Sequence, residues 1–179
     1  MKKIVLLVFI AALSFSSCEK DDICDANTPT TPRLVIDFYD INIPSSKKSV
    51  TNLKVVGAGM TDGIIFNTSG TAITKYLTSG NTISIPLKID ADATSYSFTL
   101  NSGNTNTALI NLDNIKIEYT RTNVYVSRAC GFKTVFTLNP INPITLTDGA
   151  VPDQKWIKYI SVEKSNIDTE NETHLKVFF

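Results

Sequence analysis

Three cysteines, at 18, 24 and 130, carry the most specific chemistry in this 179-residue chain. Cys18 closes the stretch Leu13-Ser14-Phe15-Ser16-Ser17-Cys18, an apolar run and two small residues ahead of a thiol. That order reads as a lipobox, in which the chain is cut before the cysteine and its sulfur is acylated at the new N-terminus. Ahead of it lie Met1-Lys2-Lys3 and the apolar Ile4–Phe15, the basic-then-apolar order of a secretory leader. The apolar run is too short to span a bilayer, which takes about 18 or more residues. Phe15 is bulkier than the aliphatic usual at its place. The competing reading is a plain secretory leader with an incidental cysteine.

Once Cys18 is given to lipid, Cys24 and Cys130 remain as a pair in an exported, oxidising setting where disulfides persist. A bond between them closes a loop of about 107 residues, for which chain entropy allows about 4.7 kcal/mol before strain. It would fasten the segment behind the anchor to a strand of the folded body. Two free thiols are the alternative.

Acid–base and metal chemistry find fewer materials. His174 is the single histidine, and no serine has the glycine pattern of a nucleophile elbow. On its expected terminal strand it reads as an exposed strand residue rather than a base. One histidine and two paired cysteines fall short of a zinc cluster. Asp90-Ala91-Asp92 and Asp148-Gly149 lack the spaced ligand series of a calcium loop and read as solvated turn acids. Trp156, the single tryptophan, reads as core rather than as an exposed platform for a glycan or peptide. The expectation is therefore a protein that is not an enzyme and needs no cofactor and no metal. A hydrolase using loop carboxylates is kept as an alternative.

Charge narrows the partners. Removal of residues 1–17 takes Lys2 and Lys3 with it, leaving 162 residues with 15 basic against 17 acidic side chains. No basic excess exists to attract nucleic acid. Acids crowd the stretch behind Cys18, with Glu19, Asp21, Asp22 and Asp25 against Lys20.

The elements that must position these residues are short strands. Residues 18–32 are polar and proline-punctuated and read as a flexible, lipidated tether. From Arg33 onward apolar residues alternate: Leu34, Ile36 and Phe38; Ile83, Ile85 and Leu87; Tyr96, Phe98 and Leu100; Ile115, Ile117 and Tyr119. Pro86 lacks a donor and marks an edge or bulge. Further strands are expected over 49–56, 64–66, 124–128, 132–138, 155–163 and 174–179, with a turn near Thr120–Asn123. Cys130 is then expected on a strand with its sulfur toward the core, and Trp156 on a central strand buried on both sides. Thr71–Leu77 suits one helical turn as well as a strand. Many short strands with turn residues about every ten positions argue one antiparallel β-sandwich over 33–179, of immunoglobulin-like or Greek-key type, or else a partly open barrel.

Five stretches carry a family resemblance: Cys18-Glu19-Lys20-Asp21-Asp22-Ile23-Cys24, Thr31-Pro32-Arg33-Leu34, Ile85-Pro86-Leu87, Ile117-Glu118-Tyr119 and Ala129-Cys130-Gly131-Phe132. On these the chain resembles a family of Bacteroidota lipoproteins described as a domain of unknown function. The two cysteine contexts are its most specific element, and they support the Cys24–Cys130 pairing. Lys20-Asp21-Asp22 is similar to the signal that sends such lipoproteins to the outer face of the outer membrane. The resemblance implies an outer-membrane lipoprotein, surface-exposed in preference to periplasm-facing, and an accessory place beside an outer-membrane β-barrel. The expectation is thus a membrane-anchored binding or accessory module for an envelope protein. A surface glycan-binding or adhesin module is the second choice, and the small-molecule ligand, if there is one, is not readable.

Overall fold

A computed structural model of the chain describes residues 23–28, 30–150 and 153–179. The lipobox, Cys18 and the Lys20-Asp21-Asp22 motif lie outside the described residues. Among the described residues, eleven strands account for nearly all the regular structure: β1 Leu34–Tyr39, β2 Leu53–Gly57, β3 Leu77–Thr78, β4 Thr82–Ile85, β5 Ala93–Leu100, β6 Asn111–Ser127, β7 Gly131–Leu138, β8 Ile144–Asp148, β9 Tyr159–Val162, β10 Asn166–Ile167 and β11 Leu175–Phe178.

The larger compact unit comprises Thr31–Thr122 and Thr134–Phe179. It is sandwich-like, as period-two alternation requires when only one face of each sheet can be covered. One sheet has the order β4-β1-β11-β9; the other runs β10-β7-β6-β5-β2-β3, with β8 paired to β6. Neither sheet closes on itself. Inward side chains meet in one cluster: Leu34, Ile36 and Phe38 of β1, Ile83 and Ile85 of β4, and Leu175 and Val177 of β11 from one sheet. From the other come Leu53, Val55, Tyr96, Phe98, Ile115, Ile117, Tyr119, Phe136 and Leu138. At about 25 cal/mol per Å² of apolar surface removed from water, this burial is the main term favouring the fold.

Most pairings are antiparallel, but β1 and β11 run parallel, with Ile36 opposite Leu175 and Tyr39 opposite Phe178. The first and last strands thus lie side by side in the middle of their sheet. Pro86 directly follows β4, an edge strand, where a missing N–H leaves no ladder bond unmade.

Several boundaries differ from the sequence reading. No turn interrupts residues 120–123: β6 continues as one 17-residue strand, because Thr-Arg-Thr-Asn has no glycine or proline to break it. The reversal comes at 128–130, so Cys130 sits in a turn rather than on a strand. Residues 64–66 form no strand; Gly63 makes an isolated bridge to Val56. Thr71–Leu77 is divided between a 3-10 turn at Thr74–Tyr76 and the start of β3. The strand expected over 155–163 begins only at Tyr159, and β9 is an edge strand. β8 follows the Pro-rich loop and is followed by Gly149, where an added Cβ would lie 2.7 Å from the Leu112 carbonyl oxygen.

The smaller unit comprises, of the described residues, 23–28 and Thr30 together with Asn123–Lys133, which closes the β6–β7 hairpin. Its three-residue connection is followed by Gly131 at φ +68°. Glycine tolerates this left-handed conformation without a Cβ penalty, a common way to complete such a hairpin.

Candidate functional site

In the smaller unit, Cys24 and Cys130 are joined by a disulfide, their Cα atoms 5.0 Å apart and 106 positions apart in sequence. Each partner is held locally. The Cys130 N–H donates to Ser127 Oγ at 3.0 Å. Asp25 accepts the Asn27 N–H at its Oδ1 and the Thr28 N–H at its backbone carbonyl, folding residues 25–28 into a turn. In the same hairpin, the rings of Tyr125 and Phe132 meet edge-on with centroids 5.4 Å apart. Both are largely exposed, at 60% and 68%, and Ile23 and Val124 are exposed with them.

In the larger unit, the outer face of the four-stranded sheet carries a second surface. Register places Tyr39 of β1 opposite Phe178 of β11, and Phe178 opposite Tyr159 of β9. Their rings form a row across three strands, with centroids 5.6 and 5.7 Å apart. Phe178 in the middle is covered, whereas Tyr159 on the edge strand is 57% exposed. The next rung along the strands is ionic: Thr82, Asp37, Lys176 and Ser161 lie opposite one another in turn.

Asp37 is buried, and Lys47 Nζ lies 2.7 Å from its Oδ2. The hydroxyls of Thr82 and Thr173 also donate to it. Burial pushes the carboxyl upward, but hydrogen bonds from Lys47, Thr82 and Thr173 and the Lys47 charge outweigh this, so its pKa lies below the ordinary value. Lys176 donates to Glu163 at 2.8 Å, which lowers the Glu163 pKa and raises that of Lys176. Lys176 Nζ also stands 5.4 Å from the Tyr39 ring centre.

His174 is not the exposed strand residue its position suggests. It is fully buried, immediately before β11, and its Nδ1 accepts the Val35 N–H at 2.9 Å. That bond places the ring proton on Nε2, which has no partner among the described residues. Burial lowers its pKa more than the acids Glu172, Asp168 and Glu170 raise it.

Trp156 is core, although in an irregular segment rather than a strand. It is 7% exposed, packs against Phe38 and Phe179, and donates from Nε1 to the Phe98 carbonyl at 3.2 Å. It is no part of an aromatic platform.

The loop acids are dispersed. Asp92 pairs with Arg121 at 2.8 Å. Asp148 lies opposite Asp113 in the β6–β8 ladder. Asp113 is fully buried, and its Oδ2 accepts the Ile157 N–H at 2.8 Å. Burial first, and the Asp148 charge after it, raise the Asp113 pKa despite that hydrogen bond. Among the described residues, no group of three or more histidines, cysteines and acids is placed to hold a metal ion.

Sequence reasoning paired the cysteines correctly and missed both aromatic surfaces. Tyr39 and Phe178 alternate with core residues, which marks them as outward-facing, but only the parallel β1–β11 register aligns them with Tyr159. Phe132 was legible as part of a cysteine context, not as the neighbour of Tyr125.

No curated protein and no solved structure matches the chain. One family does: the model described as "Family of unknown function (DUF6452)" matches residues 52–179.

Proposed function

The chain belongs to that family of unknown function, and from this premise we propose that it is a lipid-anchored, non-catalytic binding module of the outer membrane. On this reading it docks on an envelope protein, of which an outer-membrane β-barrel is the implied example, through the Tyr39–Phe178–Tyr159 row. The observation that carries the reading is the row itself: three aromatic rings in register, ending on an edge-strand tyrosine more than half exposed. Tyrosine at a surface supplies large apolar area with a polar tip, which is why it is enriched where proteins bind one another. The Asp37–Lys47 and Lys176–Glu163 pairs beside the row supply a polar border of fixed charge.

The anchor in this proposal is the acylated Cys18, with residues 1–17 removed and Lys20-Asp21-Asp22 favouring the outer face. Several acyl chains give stable anchoring where one alone is marginal. No helix among the described residues is long and apolar enough to cross a membrane, which accords with attachment by lipid.

The test is photo-crosslinking in intact cells. A photoreactive residue replacing Tyr159 is expected to capture one discrete envelope protein, whereas the same residue replacing the exposed Lys116 of β6, on the other sheet, does not. Equal, diffuse labelling from both positions would refute the proposal. Protease shaving of intact cells reads the orientation, and intact mass of the purified native protein reads the lipid.

One observation favours a second reading, a glycan ligand. Tyr159 offers an exposed ring face a few residues from the Lys176–Glu163 pair, the combination of stacking surface and polar donors on which a sugar ring binds. Retention of the protein on polysaccharide gels, lost in Tyr159→Ala, would select this reading over the first.

A further inference from the structure

We infer that the end of the β6–β7 hairpin, residues 123–133, rests against a lipid surface with Tyr125 and Phe132 seated at headgroup depth. The inference rests on the lipid anchor proposed above and adds a second contact with the same membrane. It begins from distance along the chain. Six residue steps separate Cys18 from Cys24, a span of at most about 20 Å when fully extended. Cys24 is covalently joined to Cys130 in the hairpin turn. With the 5.0 Å between the Cα atoms of the disulfide added, an acyl chain on Cys18 holds this turn within about 25 Å of the bilayer, whatever the conformation of the residues between. The disulfide converts a free leash into a fixed short one.

The surface held there has the composition of a membrane interface. Tyr125 and Phe132 pack edge-on and are more than half exposed, and Val124 and Ile23 of the same unit are exposed as well. Side chains of this kind are costly to leave in water as a contiguous patch. Aromatic residues concentrate at the headgroup level, where an apolar body and a polar tip are both accommodated. Residues 123–133 carry no acid, and Arg128 is exposed at the turn, a charge suited to anionic headgroups. Asp25 is the one acid among the described residues of this unit, and the acids Glu19, Asp21 and Asp22 belong to the spacer, not to the hairpin.

The test places a reporter at each ring. Phe132→Trp and Tyr125→Trp are made separately in the full chain, and the lipidated products are reconstituted into phosphatidylethanolamine–phosphatidylglycerol vesicles. Trp156, buried in the core, supplies a constant background that the unsubstituted protein measures. Each new tryptophan is expected to emit at shorter wavelength in vesicles than in detergent-free solution, and to be quenched by lipids brominated near the headgroup. Accessibility to a water-soluble quencher should fall about tenfold. If intact mass shows no acyl group at Cys18, that failure counts against the anchor alone. A maleimide lipid is then coupled to Cys18, the one thiol outside the disulfide, and the same readings are taken. Tryptophans that stay as open to the aqueous quencher on vesicles as in solution would overturn the inference with the anchor intact. Protection found only in native membranes and not on pure lipid would also overturn it, in favour of a protein neighbour.

Discussion

The Val35 N–H donates to Nδ1 of His174 across 2.9 Å, joining the first strand to the residue that leads into the last. The His174 N–H returns the bond to the Val35 carbonyl at 3.0 Å. One residue thus satisfies both backbone groups of Val35, and its imidazole must stay neutral to do so. A protonated ring has donors at both nitrogens and cannot accept.

A pH dependence follows from that requirement. The His174 pKa is lowered in the folded protein, so the unfolded chain takes up a proton first as pH falls. Stability from this group is full above an unfolded pKa of about 6.5 and declines as pH drops from there toward the folded value. His174→Phe removes the acceptor and leaves the Val35 N–H unpaired, at a cost of about 1–3 kcal/mol at pH 8. The difference between wild type and variant should narrow between about pH 7 and pH 5. Urea melts across that range measure it, and a constant difference would contradict the assignment.

Asp113 works with the opposite sign. Its pKa is raised, so the folded state disfavours the ionised carboxylate and loses stability as pH rises from about 4 through the folded value. Asp113→Asn keeps an oxygen to accept the Ile157 N–H and removes the charge beside Asp148. The variant is expected to be more stable than wild type at pH 7 and to approach it near pH 3. Thermal melts at the two pH values decide this.

Removing the disulfide should be felt strongly. Cys24→Ser with Cys130→Ser reopens a loop of about 107 residues, with an expected loss of about 2–5 kcal/mol. Reductant should produce the same decrease in the native protein and none in the double variant. Denaturant midpoints with and without reductant give the comparison.

Trp156 should report the core. It is buried among Phe38 and Phe179 and hydrogen-bonded to the Phe98 carbonyl. Its emission in the folded protein should be blue-shifted and should move to the red on unfolding. Trp156→Ala leaves a large cavity and is expected to cost about 3–5 kcal/mol. A red emission maximum in the native state would place the ring in water and sink the packing described.

The amino-acid sequence by itself determined the all-β class, the inward sets Leu34-Ile36-Phe38 and Ile115-Ile117-Tyr119, and that Pro86 marks an edge or a bulge. Alternation and a missing N–H are local properties, and they act whatever the chain does elsewhere. It also made Cys24 and Cys130 the expected pair on the reading that Cys18 carries lipid, and the two are joined by a disulfide. Only the tertiary structure decided which strands became neighbours. The parallel β1–β11 pairing is a long-range choice, made by the fit of a shared core rather than by any local signal, and it alone aligns Tyr39, Phe178 and Tyr159. Burial of His174 was decided the same way: its alternation pattern is that of an ordinary strand end, and it took Val35, more than a hundred residues away, to give its ring nitrogen a donor.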